Sequence, residues 1–383
     1  MNENCQPKAD HPEDEKYMNY FLKIYGCQYN EWDGARLDHI LSQLGLISTS
    51  EKDADVIFIL SCSVRKSAVD RAMSVAKNNA GKKVIVTGCI LESDRAKYEK
   101  KNVKLWDINK PERLASLLFE DATAPEKFSL RSKDINDAFF GGNIKSTYLP
   151  IMSGCNNFCS YCAVPYVRGR EKSKPFNEVI SDFKKMVKNG HKEIILLGQN
   201  VNSYGKNYEL GIMNYGINHK SPFATLLKTL NDVPGDFAIK FTSNHPKDMS
   251  DDIIAAIKDL PKVKKEIHLP FQSGSNKILE AMNRPYTKQQ YLTLVNKIKK
   301  EIPNIKITTD TIVGFPGETE KDFQETIDVF NRVGFSQAFN NKYSPRDGTA
   351  AFKLGDPVPW QEKQRRWKIL NEMVNKKGSP KLS

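Results

Sequence analysis

Apolar residues in this chain fall into short, dense runs separated by stretches with helical spacing. The first run is MNYFLKIYGC, closing on Gly26-Cys27. After it Leu37, Ile40, Leu41 and Leu44 recur every three or four positions, which predicts a helix from about Trp32 to Leu44. ADVIFILSC follows as a buried strand ending at Cys62, and a second helix is predicted over about Val64 to Ala76. KKVIVTGC is the next strand, ending at Cys89, and VKLWDI is another. Strands and helices that alternate in this way build a parallel, doubly wound sheet.

A second alternating series begins at Thr147. Its strands read TYLPIM, EIILL, FAIKFT, EIHLPF, IKITTDTIV and SQAFNNKY, with helices between them such as Asn177 to Asn189 and Asp322 to Val333. Consecutive βα units of this number predict a (βα)6 partial barrel of the TIM type, with its chemistry on the loops after the strands. Residues 121–146 are polar and carry alanine, proline and glycine, so they read as a linker. The expected organisation is α/β throughout. A disordered polar tail (1–16) precedes an N-terminal doubly wound parallel-sheet domain (17–120). Past the linker come the partial barrel (147–350) and a helical extension (351–383) with a helix from about Trp360 to Lys376.

Composition narrows the class. Hydrophobic residues make up 39% of the 383 positions, and no apolar run reaches the length of a membrane span. The N-terminus lacks the charged-then-apolar pattern of a signal peptide, so a cytoplasmic protein with no membrane partner is expected. Seven cysteines in a reducing compartment then read as metal ligands or buried thiols, not disulfides. Cys5, isolated in the polar tail, reads as a bystander. The net charge of +12 favours a polyanionic partner, although Lys262 to Lys265 and Lys297 to Lys300 read equally well as solvated helix faces.

The chemistry is concentrated in GCNNFCSYC, Gly154 to Cys162. Cys155, Cys159 and Cys162 stand in CxxxCxxC spacing. A zinc site normally takes four protein ligands, whereas a [4Fe–4S] cluster held by three cysteines keeps one iron open for a non-protein ligand. The spacing is the signature of radical S-adenosylmethionine (SAM) enzymes, and by itself it leaves a zinc site or an inert buried trio open. Cys27, Cys62 and Cys89 each lie just past the carboxyl end of a predicted parallel strand. That edge is where open α/β sheets bind ligands, so a second cluster is favoured over three packed thiols. In the barrel the corresponding positions carry Gly198-Gln199-Asn200, Ser243-Asn244-His245, Gln272-Ser273-Gly274-Ser275, Gly314 to Glu318 and Ser344-Pro345-Arg346.

The run YLPIMSGCNNFCSYCAVPYVRGREKSKP resembles the core motif of MiaB-type tRNA methylthiotransferases. GCQYN, SCSVRKSAVDRA, TGC, LLGQNVNSYG, HLPFQSGS, EAMNRPYT, DTIVGFPGETE and YSPRDGT extend the resemblance over about Tyr20 to Lys376. It implies a methylthiotransferase domain with an auxiliary [4Fe–4S] cluster on Cys27, Cys62 and Cys89. A radical SAM domain follows, whose cluster sits on Cys155, Cys159 and Cys162. It also implies SAM contacts from Tyr161 near the adenine and from Gly198, Gln199 and Asn200 at the methionine end. Ser243, Gln272 and Asp310 are further pocket candidates, and Arg168, Arg170 and Arg346 are candidate contacts to SAM or RNA phosphate. The implied reaction is methylthiolation of carbon 2 of N6-isopentenyladenosine in the tRNA anticodon loop. It needs an electron donor such as flavodoxin or ferredoxin and a sulfur source.

Related enzymes act on threonylcarbamoyladenosine in tRNA or on a ribosomal-protein aspartate, and a non-catalytic iron–sulfur RNA-binding protein is the alternative outside enzymes. Family members commonly carry Met where this chain has Tyr29, an acidic pair at Asp33-Gly34, and Asn-Thr at Leu60-Ser61. They end in a small β-rich TRAM domain that binds RNA, and this sequence stops at the helix before it.

Overall fold

The computed structural model describes residues 18–99, 103–118, 147–206 and 221–374. The polar tail and the 121–146 linker lie outside them. Strands β1 (Asn19–Ile24), β2 (Ile47–Ser48), β3 (Val56–Cys62), β4 (Lys83–Cys89) and β5 (Lys104–Leu105) form one sheet in the order β2-β1-β3-β4-β5, parallel throughout. Every residue of β3 is buried, as a central strand covered on both faces must be. One face packs Tyr20, Phe58 and Leu60 against Leu37, Ile40 and Leu41 of helix Gln28–Gln43. The other packs Ile57, Ile59 and Val86 against Val69 and Ala72 of helix Lys66–Asn78. This is the doubly wound arrangement that the apolar runs predict.

The first helix starts four residues before the expected Trp32. Its opening turn, Gln28-Tyr29-Asn30-Glu31, carries no apolar repeat, so periodicity misses it. Cys27 therefore sits at the helix N-terminus. VKLWDI yields only the two-residue β5, because the chain turns after it and the Trp106 indole donates to the Lys110 carbonyl at 3.1 Å.

The second half carries β6 (Tyr148–Pro150), β9 (Glu193–Leu197), β10 (Ala238–Phe241), β11 (Glu266–His268), β12 (Lys306–Val313) and β13 (Gln337–Lys342). They form parallel trios β6-β9-β10 and β11-β12-β13, and an Ile239–Val263 bridge lies where β10 meets the approach to β11. A short antiparallel pair, β7 (Met152–Ser153) and β8 (Lys172–Ser173), flanks the loop carrying CxxxCxxC. The core runs from Leu149 and Phe183 through Phe223, Phe271 and Phe330 to Leu370 of helix Trp360–Val374, so that helix closes the barrel wall. Among the described residues no helix is long and apolar enough to cross a membrane.

The two halves are packed together. Trp32 and Ala35 of the first helix rest on the barrel core, and Arg346, after β13, donates to Asp94 at 2.7 Å with both side chains buried. Breaking a buried ion pair strands a charge and costs about 3 kcal/mol. Asp94→Ala is therefore expected to lower stability in chemical denaturation by that order. Asp94→Ala combined with Arg346→Met should restore much of it, because no buried charge is then left alone.

Candidate active site

The first thiol rim is built by strand register. Cys62 and Cys89 are paired positions on neighbouring strands, and Cys27 enters from the end of β1. Asn30 lies between them, its Oδ1 at 3.7 Å from Cys89 Sγ and 4.0 Å from Cys27 Sγ. Its amide donates to the Tyr25 and Ser61 carbonyls, which pins two strand ends together. Burial pushes the Cys62 and Cys89 thiols up, and the neighbouring thiols of the same trio add to the effect. All six cysteines of the two trios are free. Among the described residues no group of three His, Cys, Asp or Glu side chains could hold a single metal ion. Trios of soft sulfur donors instead suit an iron–sulfur cluster, which spreads its thiolates over different irons.

The second rim is the loop between β7 and β8. Gly154 has φ +73°, and a Cβ there would lie 2.1 Å from the Arg170 carbonyl oxygen, so only glycine fits. This close approach lets Cys155 N–H donate to the Gly169 carbonyl at 3.2 Å, closing the loop. Ser160 donates from both N–H and Oγ to the Met282 and Ala281 carbonyls, at 3.0 and 2.7 Å. Burial raises the Cys155 thiol and pushes Cys162 up to about 12, with Cys159 reinforcing both. Arg284 lies under the loop: its guanidinium contacts Cys159 Sγ at 3.7 Å, the Pro270 carbonyl at 2.6 Å and the Tyr286 hydroxyl at 2.8 Å. Burial opposes its charge, but Tyr286, Tyr161 and Cys159 outweigh burial and hold it protonated.

The barrel mouth holds polar atoms without partners. Gln199 Oε1 and Asn200 Oδ1 follow β9, Asn244 Oδ1 and His245 Nε2 follow β10, and Gln272 Oε1 follows β11; all five are buried and have no hydrogen-bond partner among the described residues. Buried polar atoms are ordinarily paired, so five along one strand edge mark a site shaped for a polar ligand. His245 Nδ1 accepts from Lys247 N–H, and burial together with the Arg284 charge drives its pKa down to about 2. The ring is neutral, with its proton on the unpaired Nε2. Asn200 also donates to Asp248 at 2.8 Å. Gly198 fits because a Cβ there would meet Met152 Cγ at 2.5 Å. Ser243 and Gln272 both adopt positive φ, at 63° and 69°. Asp310 lies deeper, 3.1 Å from His268 Nε2. Tyr161 packs against Ile278, Met282, Phe315, Tyr343 and Ala351.

Arg168, just past the CxxxCxxC loop, crosses to the first rim. It stacks 3.8 Å above the Tyr29 ring and donates to Asn30 Oδ1 at 3.2 Å and to Asp33 at 2.9 Å. Arg170 covers the Phe158 ring at 4.3 Å, and Arg346 is occupied by Asp94. Beside Arg168 a cavity of about 370 Å³ lies between the halves, with Cys89 and Gly88 on one wall and Pro150, Met152 and Ser153 on the other.

Comparison with known proteins decides the family. Residues 149–330 match the radical SAM superfamily, and residues 19–107 match the uncharacterized protein family UPF0004. A tRNA-2-methylthio-N(6)-dimethylallyladenosine synthase of Clostridium tetani is 40% identical over 385 residues, covering 96% of this chain and 83% of that protein. The chain belongs to the tRNA-2-methylthio-N(6)-dimethylallyladenosine synthase family. The same-named protein of Acetivibrio thermocellus is 39% identical, covering 93% of this chain and 76% of its own length. Among solved structures, the fold is shared with the radical SAM methyltransferase TsrM from Kitasatospora setae (TM-score 0.54, 11% identity, 88% of this chain and 77% of that one). It is shared too with the cobalamin-dependent SAM radical enzyme OxsB (TM-score 0.52, 12% identity, 94% of this chain and 56% of that one).

A member of this family is a radical SAM tRNA methylthiotransferase that uses SAM and a [4Fe–4S] cluster. The cysteine spacing predicts the trios, and His245 falls in a loop placed at the barrel mouth from sequence, but sequence reasoning misses Asn30 and Arg284 as parts of the site. EAMNRPYT contains Arg284, yet nothing in that segment shows that the chain folds it under Cys159. Gly154→Ala is expected to displace the loop and abolish reductive SAM cleavage while leaving far-UV circular dichroism unchanged. Assay of 5′-deoxyadenosine release checks this, and wild-type release would contradict the geometric argument.

Proposed function

We propose that this chain methylthiolates carbon 2 of N6-isopentenyladenosine beside the tRNA anticodon, using two [4Fe–4S] clusters. The observation that carries the reading is the pair of thiol trios on facing strand edges, in a chain 40% identical to a tRNA-2-methylthio-N(6)-dimethylallyladenosine synthase over nearly its whole length. Carbon 2 of adenine is unactivated, and acid–base side chains cannot functionalise it, so the chemistry belongs to cofactors. Cys155, Cys159 and Cys162 would hold the cluster that, with SAM, would provide radical chemistry, and Cys27, Cys62 and Cys89 would hold the cluster that would carry sulfur to the base.

The protein's own groups do the rest. Arg284 sets a guanidinium donor 3.7 Å from Cys159 Sγ, a contact of the kind that orients a sulfur ligand and tunes its cluster. Gln199, Asn200, Asn244, His245 and Gln272 offer their unpaired atoms to the polar parts of SAM. The anticodon loop is single-stranded, so its adenine can be splayed into the gap between the rims. The reaction draws electrons from a donor such as flavodoxin or ferredoxin and sulfur from a separate source, in the cytoplasm where tRNA resides.

Two measurements test this. Anaerobic reconstitution should load about eight irons per chain, falling to about four when Cys27, Cys62 and Cys89 are all alanine. Loading near four in the wild type would contradict the second cluster. Mass spectrometry of tRNA nucleosides from a strain lacking the gene should show loss of the 2-methylthio derivative and accumulation of isopentenyladenosine. An unchanged nucleoside profile would move the substrate to threonylcarbamoyladenosine or to a protein.

A further inference from the structure

The cavity between the halves carries charge that the cluster chemistry does not use. Four cations line it: Arg36, Arg168, Lys172 and Lys174. Two are neutralised, Arg168 by Asp33 and Lys174 by Asp182. Asp33 is the one acidic residue in the lining. Arg36 is different. It is only 4% exposed, its Nε has no hydrogen-bond partner among the described residues, and the carboxylate whose charge favours it, Asp33, is already hydrogen-bonded to Arg168. The Trp32 ring lies beside it, with 5.7 Å from guanidinium to centroid. Lys172, on β8 across the cavity, is exposed and forms no ion pair among the described residues. One buried carboxylate shared by two guanidiniums leaves net positive charge on the wall of an open cavity, and such charge calls for an anionic ligand.

We propose that Arg36 and Lys172 clamp one phosphodiester of the tRNA beside the target adenosine. The position of the cavity supports this occupant. It borders Cys89 on one side and the strand leading into the CxxxCxxC loop on the other, so a nucleotide whose base enters the gap brings its backbone to this wall. Two cations, one from each half and neither with a hydrogen-bonded carboxylate among the described residues, match one phosphate. Arginine supplies a planar, multiply donating group for it, and lysine a point charge at the entrance. The inference rests on tRNA being the substrate, and it adds where the backbone is held. The clamp fixes the register of the base without reading its sequence.

The test is a double-substitution cycle across the interface, with the full chain holding its clusters and an isopentenylated anticodon stem-loop. Single neutral methylphosphonate linkages are placed in turn around the target nucleotide. In the wild type, one linkage should weaken binding by about tenfold, the size of a lost charged hydrogen bond. In Arg36→Gln and in Lys172→Ala that same linkage should have little further effect, and each variant should show a shallower dependence of affinity on salt. Lys172 is exposed, so its variant remains informative if Arg36→Gln does not fold. Lys258→Ala, remote on the surface beside Glu301, should keep the wild-type pattern. Additive losses at every linkage would overturn the clamp. Failure of the wild type to bind the stem-loop at all would instead overturn the tRNA reading.

Discussion

Arg168 is the joint on which this molecule turns. It leaves the loop that carries one thiol trio and ends against the helix that begins at the other. Its guanidinium meets three different partners there: the Tyr29 ring, the Asn30 amide oxygen and the Asp33 carboxylate. Burial disfavours its charge, but Cys89, Asp33 and Tyr29 together hold it protonated. Because Asn30 also lies against Cys89 and Cys27, the position of the barrel loop is transmitted to the first rim by direct contact. Two strand edges that would otherwise be independent are thereby made to face each other.

Each edge owes its chemistry to a general property of parallel sheets. Every strand ends at the same side, so residues far apart in sequence converge without any special device. In the first domain this convergence is tightened by register, which sets Cys62 opposite Cys89. In the barrel it is tightened by close packing, with Gly154 and Gly198 letting backbone and Met152 approach where a Cβ would collide. The unpaired polar atoms along the barrel mouth are costly in the bare protein and become an asset once a polar ligand supplies their partners.

How much of this was legible in the sequence follows from the range of each interaction. Strands with long apolar runs, such as ADVIFILSC, and the cysteines at their ends are local signals, and they place both trios. The start of the first helix is not legible, because its first turn is polar and is held by tertiary contacts. Tyr29 stands out in sequence only as a departure from the family pattern, and Asp33 only as what remains of the family's acidic pair. In the structure they form the seat for Arg168, a role that exists only once the two domains meet. Arg346 shows the converse: a candidate for binding RNA phosphate by its loop position, it is buried against Asp94 from the other domain. Charge type and loop placement cannot distinguish an arginine that binds a ligand from one that locks an interface.

The central claim is that one adenine carbon sits between the two rims and meets both chemistries in turn. Its most direct test is a reaction of the reconstituted protein with SAM, reductant and an isopentenylated anticodon stem-loop carrying deuterium at carbon 2 of the target adenine. The account expects deuterium in the released 5′-deoxyadenosine and a methylthio group on the same base. Unlabelled 5′-deoxyadenosine with an unmodified base would contradict it.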